Sequence, residues 1–145
     1  MKVQTMPTDT QAAVPHELRI LVVEDELFVR TLTVHTLQQL GFQHIETESD
    51  GEDALRIMLA TTPPFELVIC DLNMPVMDGF DFMRGAQKIS YKGGLIVLSS
   101  EESQVLTAAV ELGKSCGLAM LGALAKPLQQ EQLRALLPGY DPSLR

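Results

Sequence analysis

The residues best equipped for chemistry in this chain stand at the ends of apolar runs. Phe65-Glu66-Leu67-Val68-Ile69-Cys70 runs straight into Asp71, and Leu18-Arg19-Ile20-Leu21-Val22-Val23 runs into Glu24-Asp25-Glu26. Leu95-Ile96-Val97-Leu98 is followed by Ser99-Ser100, and the apolar segment 118–124 is followed closely by Lys126-Pro127. A carboxylate at the end of a buried segment is costly unless something compensates it. If these four ends meet, Glu24, Asp25 and Asp71 crowd one pocket. Two like charges about 4 Å apart repel by roughly 4 kcal/mol at an effective dielectric of 20. Lys126 offsets one charge, and a divalent ion offsets the others. Hard oxygen ligands, few in number and with room for water, favour Mg²⁺ over a Ca²⁺ cage or zinc. A carboxylate beside Mg²⁺ and a lysine is a good acceptor for a phosphoryl group. Carboxylates serve as covalent nucleophiles, and a metal with an ammonium group stabilises charge on the transferring oxygens. Ser99 is a candidate to hydrogen-bond one of those oxygens.

Whether the ends meet depends on the elements that carry them. The β-branched run 18–23 predicts a strand. Val29, Leu32, Leu37 and Leu40 predict a helix over 26–40, with Gly41 as its stop. Strands are expected at 42–47, 65–70, 95–98 and 118–124, and helices at 52–59, 80–88, 101–116 and 128–137. Regular alternation calls for right-handed crossovers and a parallel sheet with helices on both faces. The flavodoxin-like (βα)5 doubly wound order 2-1-3-4-5 suits this length, and functional groups in such sheets gather beyond the carboxyl ends of the strands. The first and third strands are then neighbours, as are the third and fourth, so the acids fall together.

Each residue also has an ordinary role when taken singly. Asp71 can cap a helix or form a turn, Glu24-Asp25-Glu26 can be a solvated helix start, and Ser99 can cap the helix before Glu101 and Glu102. Asn73 can be a turn former and Lys126 a surface loop residue. Asp78-Gly79 reads as a turn. His35 and His44 have no metal-ligand spacing and read as structural. Cys70 and Cys116 read as core thiols, since two cysteines make no disulfide framework.

The motifs VVEDE, CDLNMPVMDGF, LIVLSS and LAKP, in that order and on those elements, resemble the receiver domains of two-component response regulators. The resemblance covers about residues 18 to 138. It implies that Asp71 takes a phosphoryl group from a partner histidine kinase or phosphotransfer protein. It implies that Glu24, Asp25, Asp71 and the Asn73 backbone carbonyl hold Mg²⁺, with Asp25 a direct ligand. Ser99 becomes the switch hydroxyl, Lys126 the phosphoryl contact, and Pro127 follows a cis peptide. The output is expected through the face of the fourth helix, fifth strand and fifth helix, to an output domain, a partner or a second copy of the chain. Three departures from the family pattern stand out. Glu24 occupies a position where many members have Asp. Ala123 replaces the usual aromatic switch. The stretch from Ser99 to Lys126 is longer by roughly one helical turn, so the fourth helix or its exit is expected to be extended. That stretch, with GLAMLGALAKPL, resembles receivers attached to EAL-type cyclic di-GMP phosphodiesterases.

Composition narrows the function further. With 11 Lys and Arg against 19 Asp and Glu, the net charge is −8, a surface that repels nucleic acid and anionic lipid. No run approaches a membrane helix and the N-terminus lacks a signal core, so the cytoplasm is the expected compartment. Residues 1–17 read as a disordered leader and 139–145 as a linker to an output domain outside this chain. The expected role is a signalling switch rather than an enzyme beyond its own phosphorylation and dephosphorylation. A phosphorylation-independent scaffold of the same fold is the alternative. An aspartyl-nucleophile phosphatase would need an acid two residues after the nucleophile, where Asn73 stands. No GxxxxGK[ST] loop is present.

Overall fold

A computed structural model describes residues 17–137. The elements are β1 (Arg19–Val23), α1 (Leu27–Gln39), β2 (His44–Glu48), α2 (Gly51–Ala60), β3 (Leu67–Asp71), α3 (Gly79–Lys88), β4 (Gly94–Ser99), α4 (Ser103–Ser115), β5 (Ala119–Ala125) and α5 (Gln130–Leu136). The strands form one parallel sheet in the order β2-β1-β3-β4-β5, as the alternation predicted. The expected leader and linker fall outside the described residues, apart from Glu17.

Strand alternation divides the core in two. Leu21, Val23, Val68, Cys70, Leu95 and Val97 face one way and pack on Ala54, Met58, Phe82, Met83, Ala86 and Ala109 of α2, α3 and α4. Ile20, Val22, Leu67, Ile69, Ile96 and Leu98 face the other way and pack with Leu37, Leu40, Phe42, Leu128, Leu133 and Leu137, on the side of α1 and α5. Strands covered on both faces read as continuous apolar runs, which is why β1, β3 and β4 are so plain in the sequence. The edge strand β2, HIETE, keeps its charged residues largely outside, and charge on an edge discourages pairing with another chain.

Local chemistry sets the helix ends. Asp50 and Asp78 cap α2 and α3: the Asp53 N–H donates to Asp50 Oδ1 at 2.8 Å and the Asp81 N–H to Asp78 Oδ1 at 2.9 Å. Each such cap contributes about 1 kcal/mol. Gly41 and Gly117 follow α1 and α4 with φ of 102° and 78°, the left-handed conformation that suits a glycine stop.

One sequence expectation changes in detail. The α1 stripe was expected at Val29, Leu32, Leu37 and Leu40. Leu37 and Leu40 are buried as expected and Val29 and Leu32 are half-buried, but Thr33 and Thr36 are buried with them, while Leu27 and Phe28 are exposed. The threonines tolerate burial because their hydroxyls donate back to the Val29 and Leu32 carbonyls at 2.8 and 3.0 Å. Between Ser99 and Lys126 the chain forms α4, which runs 13 residues, and β5, whose register against β4 steps from Met120 to Gly122 in a bulge.

The turn into α3 packs directly against backbone. A Cβ on Gly79 would lie 2.8 Å from Leu72 Cα and 2.9 Å from the Asp71 carbonyl oxygen, and backbone cannot step aside. At Gly113 the added carbon would meet the Met120 thioether, which is flexible. Gly79→Ala is therefore expected to destabilise by about 1–3 kcal/mol in denaturant titrations. Gly113→Ala should cost less, since alanine recovers about 1 kcal/mol of helix propensity.

Candidate functional site

The strand register places the candidate residues on adjoining rungs. In the β1–β3 pairing Val23 lies opposite Cys70, so Glu24 and Asp71 follow side by side. Asp71 pairs with Leu98, one residue before Ser99. Ser99 pairs with Ala125, and the Lys126 N–H donates to the Ser99 carbonyl at 3.0 Å, which carries the ladder one step further. Four segments far apart in the chain thus end at one level of the sheet. Glu24, Asp71 and Ser99 are buried, and Asp25 is exposed at the rim.

Lys126 is the cation the acids require. Its Nζ lies 3.0 Å from Glu24 Oε1 and 3.1 Å from Asp71 Oδ2. The Lys126–Pro127 peptide is cis, as expected. The Asn73 N–H donates to Asp71 Oδ1 at 3.2 Å, and the Glu26 N–H to Glu24 Oε2 at 3.1 Å. Carboxylate oxygens of Glu24, Asp25 and Asp71 lie within 4.8 Å of one another. Three carboxylates against one ammonium leave an excess of negative charge. Burial pushes the Glu24 carboxyl up to about 7, with the Asp71 charge adding to it, although Lys126 and the Glu26 N–H pull the other way. Burial also works against the Lys126 charge, but the bond to Glu24 and the Asp71 carboxylate outweigh it and hold that ammonium above its ordinary pKa. Glu24 Oε1 is buried and, despite the nearby ammonium, lacks a well-oriented hydrogen bond. An oxygen-only cluster with surplus charge and an incompletely satisfied buried oxygen fits a hard divalent cation such as Mg²⁺.

The remaining candidates separate cleanly. Ser99 does not cap α4, whose N-cap is Glu102; its Oγ instead accepts from the Glu101 N–H at 3.1 Å. Asp78 is occupied as the α3 cap. His44 lies on the β2 edge, 3.5 Å from Glu17 and away from the pocket. Cys70 is a buried thiol whose pKa is raised well above its ordinary value, first by burial and then by Asp71 and Glu24. Two contacts were not legible in the sequence as contacts. The Asn73 side-chain amide donates to the Glu101 carboxylate, tying the β3–α3 loop to the β4–α4 loop. The Arg30 guanidinium reaches back to the Glu24 and Asp25 carbonyls. The only sequence hint was position, two residues after Ser99 and one turn into the helix that follows the acids.

The raised Glu24 value has a consequence for stability. A carboxyl at about 7 in the folded protein and 4.5 when unfolded favours the folded state below pH 4.5, and that contribution is lost as pH rises to about 7. In chelator, Glu24→Gln is expected to be more stable than the parent at pH 8, by up to about 3 kcal/mol from linkage. The difference should shrink toward pH 4.5 and on adding Mg²⁺, as read by denaturant titrations across pH.

Known proteins share this architecture and sequence. The profile of the response regulator receiver domain matches residues 20–138. A probable chemotaxis protein CheY from Rhizobium etli is 33% identical over 136 residues, 92% of this chain and 99% of that protein. The cyclic di-GMP phosphodiesterase RocR of Pseudomonas aeruginosa is 37% identical over 127 residues, 87% of this chain but only 32% of RocR, so the chain spans about a third of that relative. Among solved structures, Vibrio cholerae chemotaxis protein CheY4 superposes with a TM-score of 0.67 at 32% identity, covering 83% of this chain and 96% of that one. With the profile spanning nearly all the described residues and a relative matched end to end, the chain belongs to the response regulator receiver domain family.

Proposed function

We propose that Asp71 is the phospho-acceptor of this receiver, supplied by a phosphohistidine on a partner kinase or phosphotransfer protein. The observation that carries it is Lys126 Nζ at 3.0 and 3.1 Å from two buried carboxylates, with a third within 4.8 Å. Asp25, Asp71 and the Asn73 carbonyl would hold Mg²⁺, with Glu24 beside them. The ion supplies charge stabilisation for the transferring oxygens. An Asp71 carboxylate oxygen attacks phosphorus, the P–N bond breaks, and its electron pair returns to the donor imidazole. The product is an acyl phosphate on Asp71. Lys126, freed from part of its bond to Asp71, follows the new negative charge, and the Ser99 hydroxyl donates to a phosphoryl oxygen. Water attack on phosphorus later releases phosphate and restores the carboxylate.

Exposed apolar residues follow the acids in the chain. Leu27 and Phe28 begin α1 directly after the acids, and Val76, 90% exposed, stands in the loop after Asp71 with φ of 71°. A β-branched residue at positive φ is strained, and exposed apolar side chains on the segments that carry the acids suit a phosphodonor protein. The output side is the face of α4, β5 and α5. There Ala123, with Ser103, Leu106 and Val110, lines a shallow groove of about 340 Å³. An alanine cannot act as an aromatic rotor, so repacking of α4 itself is the proposed relay. The likeness to RocR supports an output of the cyclic di-GMP class, attached or separate.

Acetyl phosphate with Mg²⁺ should add one phosphoryl group by intact mass, and Asp71→Asn should not acquire it; full labelling of that variant would refute the assignment. Asp25→Ala should weaken Mg²⁺ binding more than Asp78→Ala, and equal effects would remove Asp25 as a direct ligand. The acyl phosphate should be short-lived, because Asn73 and Glu101 flank the attack path with polar groups rather than bulk. A half-life of many hours at neutral pH in a time course of phosphate release would contradict this, and Glu101→Ala should alter the lifetime without preventing labelling.

A further inference from the structure

We propose that Arg30 is a positioning residue for the metal acids. The inference rests on the reading of Glu24, Asp25 and Asp71 as a Mg²⁺ site. The Arg30 guanidinium donates through Nη1 to the Glu24 carbonyl at 2.9 Å, with the Asp25 carbonyl 3.5 Å away. It forms no ion pair among the described residues, although Glu24, Asp25 and Glu26 precede it by one to two helical turns. A permanently charged fork placed beside acids would ordinarily seek a carboxylate. Here it seeks backbone.

The backbone at that point explains why. The Glu24 N–H still donates to the Glu48 carbonyl, so residue 24 is held on the strand side. The Glu26 carbonyl already accepts from the Arg30 N–H, so residue 26 is held on the helix side. The α1 N-cap, Glu26, makes no side-chain cap hydrogen bond. The Glu24 and Asp25 carbonyls lie between the two ladders, where backbone acceptors need partners. Arg30 bonds the first and lies beside the second. It fixes the turn from which the Glu24 and Asp25 side chains leave, and with it the direction of the exposed Asp25 carboxylate. Outer partners that orient metal ligands typically change metal affinity by about tenfold or more when removed.

Charge and position make opposite forecasts, so they can be separated. Removing a cation beside a metal site should tighten Mg²⁺ binding by Coulomb's law, whereas removing a clamp should weaken it. Calorimetric titration of Mg²⁺ into the unphosphorylated 145-residue chain should show Arg30→Met weakened by about five- to tenfold. Arg30→Lys, which keeps the charge but loses the fork, should be weakened as well. Both should remain folded in chelator by thermal unfolding, and the Glu26 amide, which donates to Glu24 Oε2, should exchange faster than in the parent. Tighter binding by Arg30→Met with Arg30→Lys unchanged would overturn the proposal in favour of a charge effect. Parent-like affinity in both, with Asp25→Ala still impaired, would overturn it and leave the metal reading intact. No Mg²⁺ binding by the parent would overturn the metal reading and the Arg30 role together. If Arg30→Met does not fold, Arg30→Lys and the Glu26 amide decide the matter.

Discussion

Lys126 touches both Glu24 and Asp71, and the rest of the structure is arranged so that it can. Two carboxylates inside the carboxyl end of a sheet are tolerable only with a cation against them. That cation comes from the far end of the chain, beyond β5. It arrives because β3 pairs with β4, and β4 with β5, in a register that puts Ser99 opposite Ala125. A one-residue slip in any parallel pair would exchange the faces of the strand. It would strand the ammonium among apolar side chains and leave the acids uncompensated. The charge cluster and the sheet register therefore constrain each other.

The compensation is incomplete, and the incompleteness is useful. Burial, with the Asp71 charge adding to it, drives Glu24 toward its protonated form, and one ammonium among three acids leaves a cluster whose oxygens fit a further cation. The destabilisation is local, and the two packed faces of the sheet, supported by the Asp50 and Asp78 caps, absorb it. Proteins commonly accept strain or crowded charge at functional sites because the surrounding fold over-determines them. Here the tight turn at Gly79 holds the loop after Asp71 against Leu72, so Asp71 is fixed by backbone as well as by charge.

The far side of the sheet is looser. The β5 strand is only half-buried along most of its length and carries the bulge at Met120–Gly122. α4 keeps few fully buried residues, Ala109 and Gly113. Gly117 lies outside the helix as its stop. An element with few deep contacts is easier to shift than one locked in the core. The small side chain of Ala123 leaves a groove against α4 where the family pattern has an aromatic ring. Ser99 and Lys126 thus lie at the end of the sheet next to its least deeply packed elements.

The sequence by itself determined the order of elements, the two-faced sheet, and the acids, serine and lysine at the strand ends. Apolar runs, glycine stops and strand-end polar residues are local signals, and parallel βα order leaves few topologies open. Other features were decided only in three dimensions. Thr33 and Thr36 are buried alongside the expected Leu37 and Leu40 because the surface α1 meets is shaped by other strands and helices, and there their hydroxyls bond back to the helix backbone. The Asn73–Glu101 bond joins residues 28 positions apart, and no local pattern encodes such a pairing. Arg30 reads in sequence as one more helix-surface cation, since the unpaired carbonyls it serves exist only where the last rung of β1 gives way to the first turn of α1. What is periodic along the chain can be read there; what depends on which distant segments share a rung cannot.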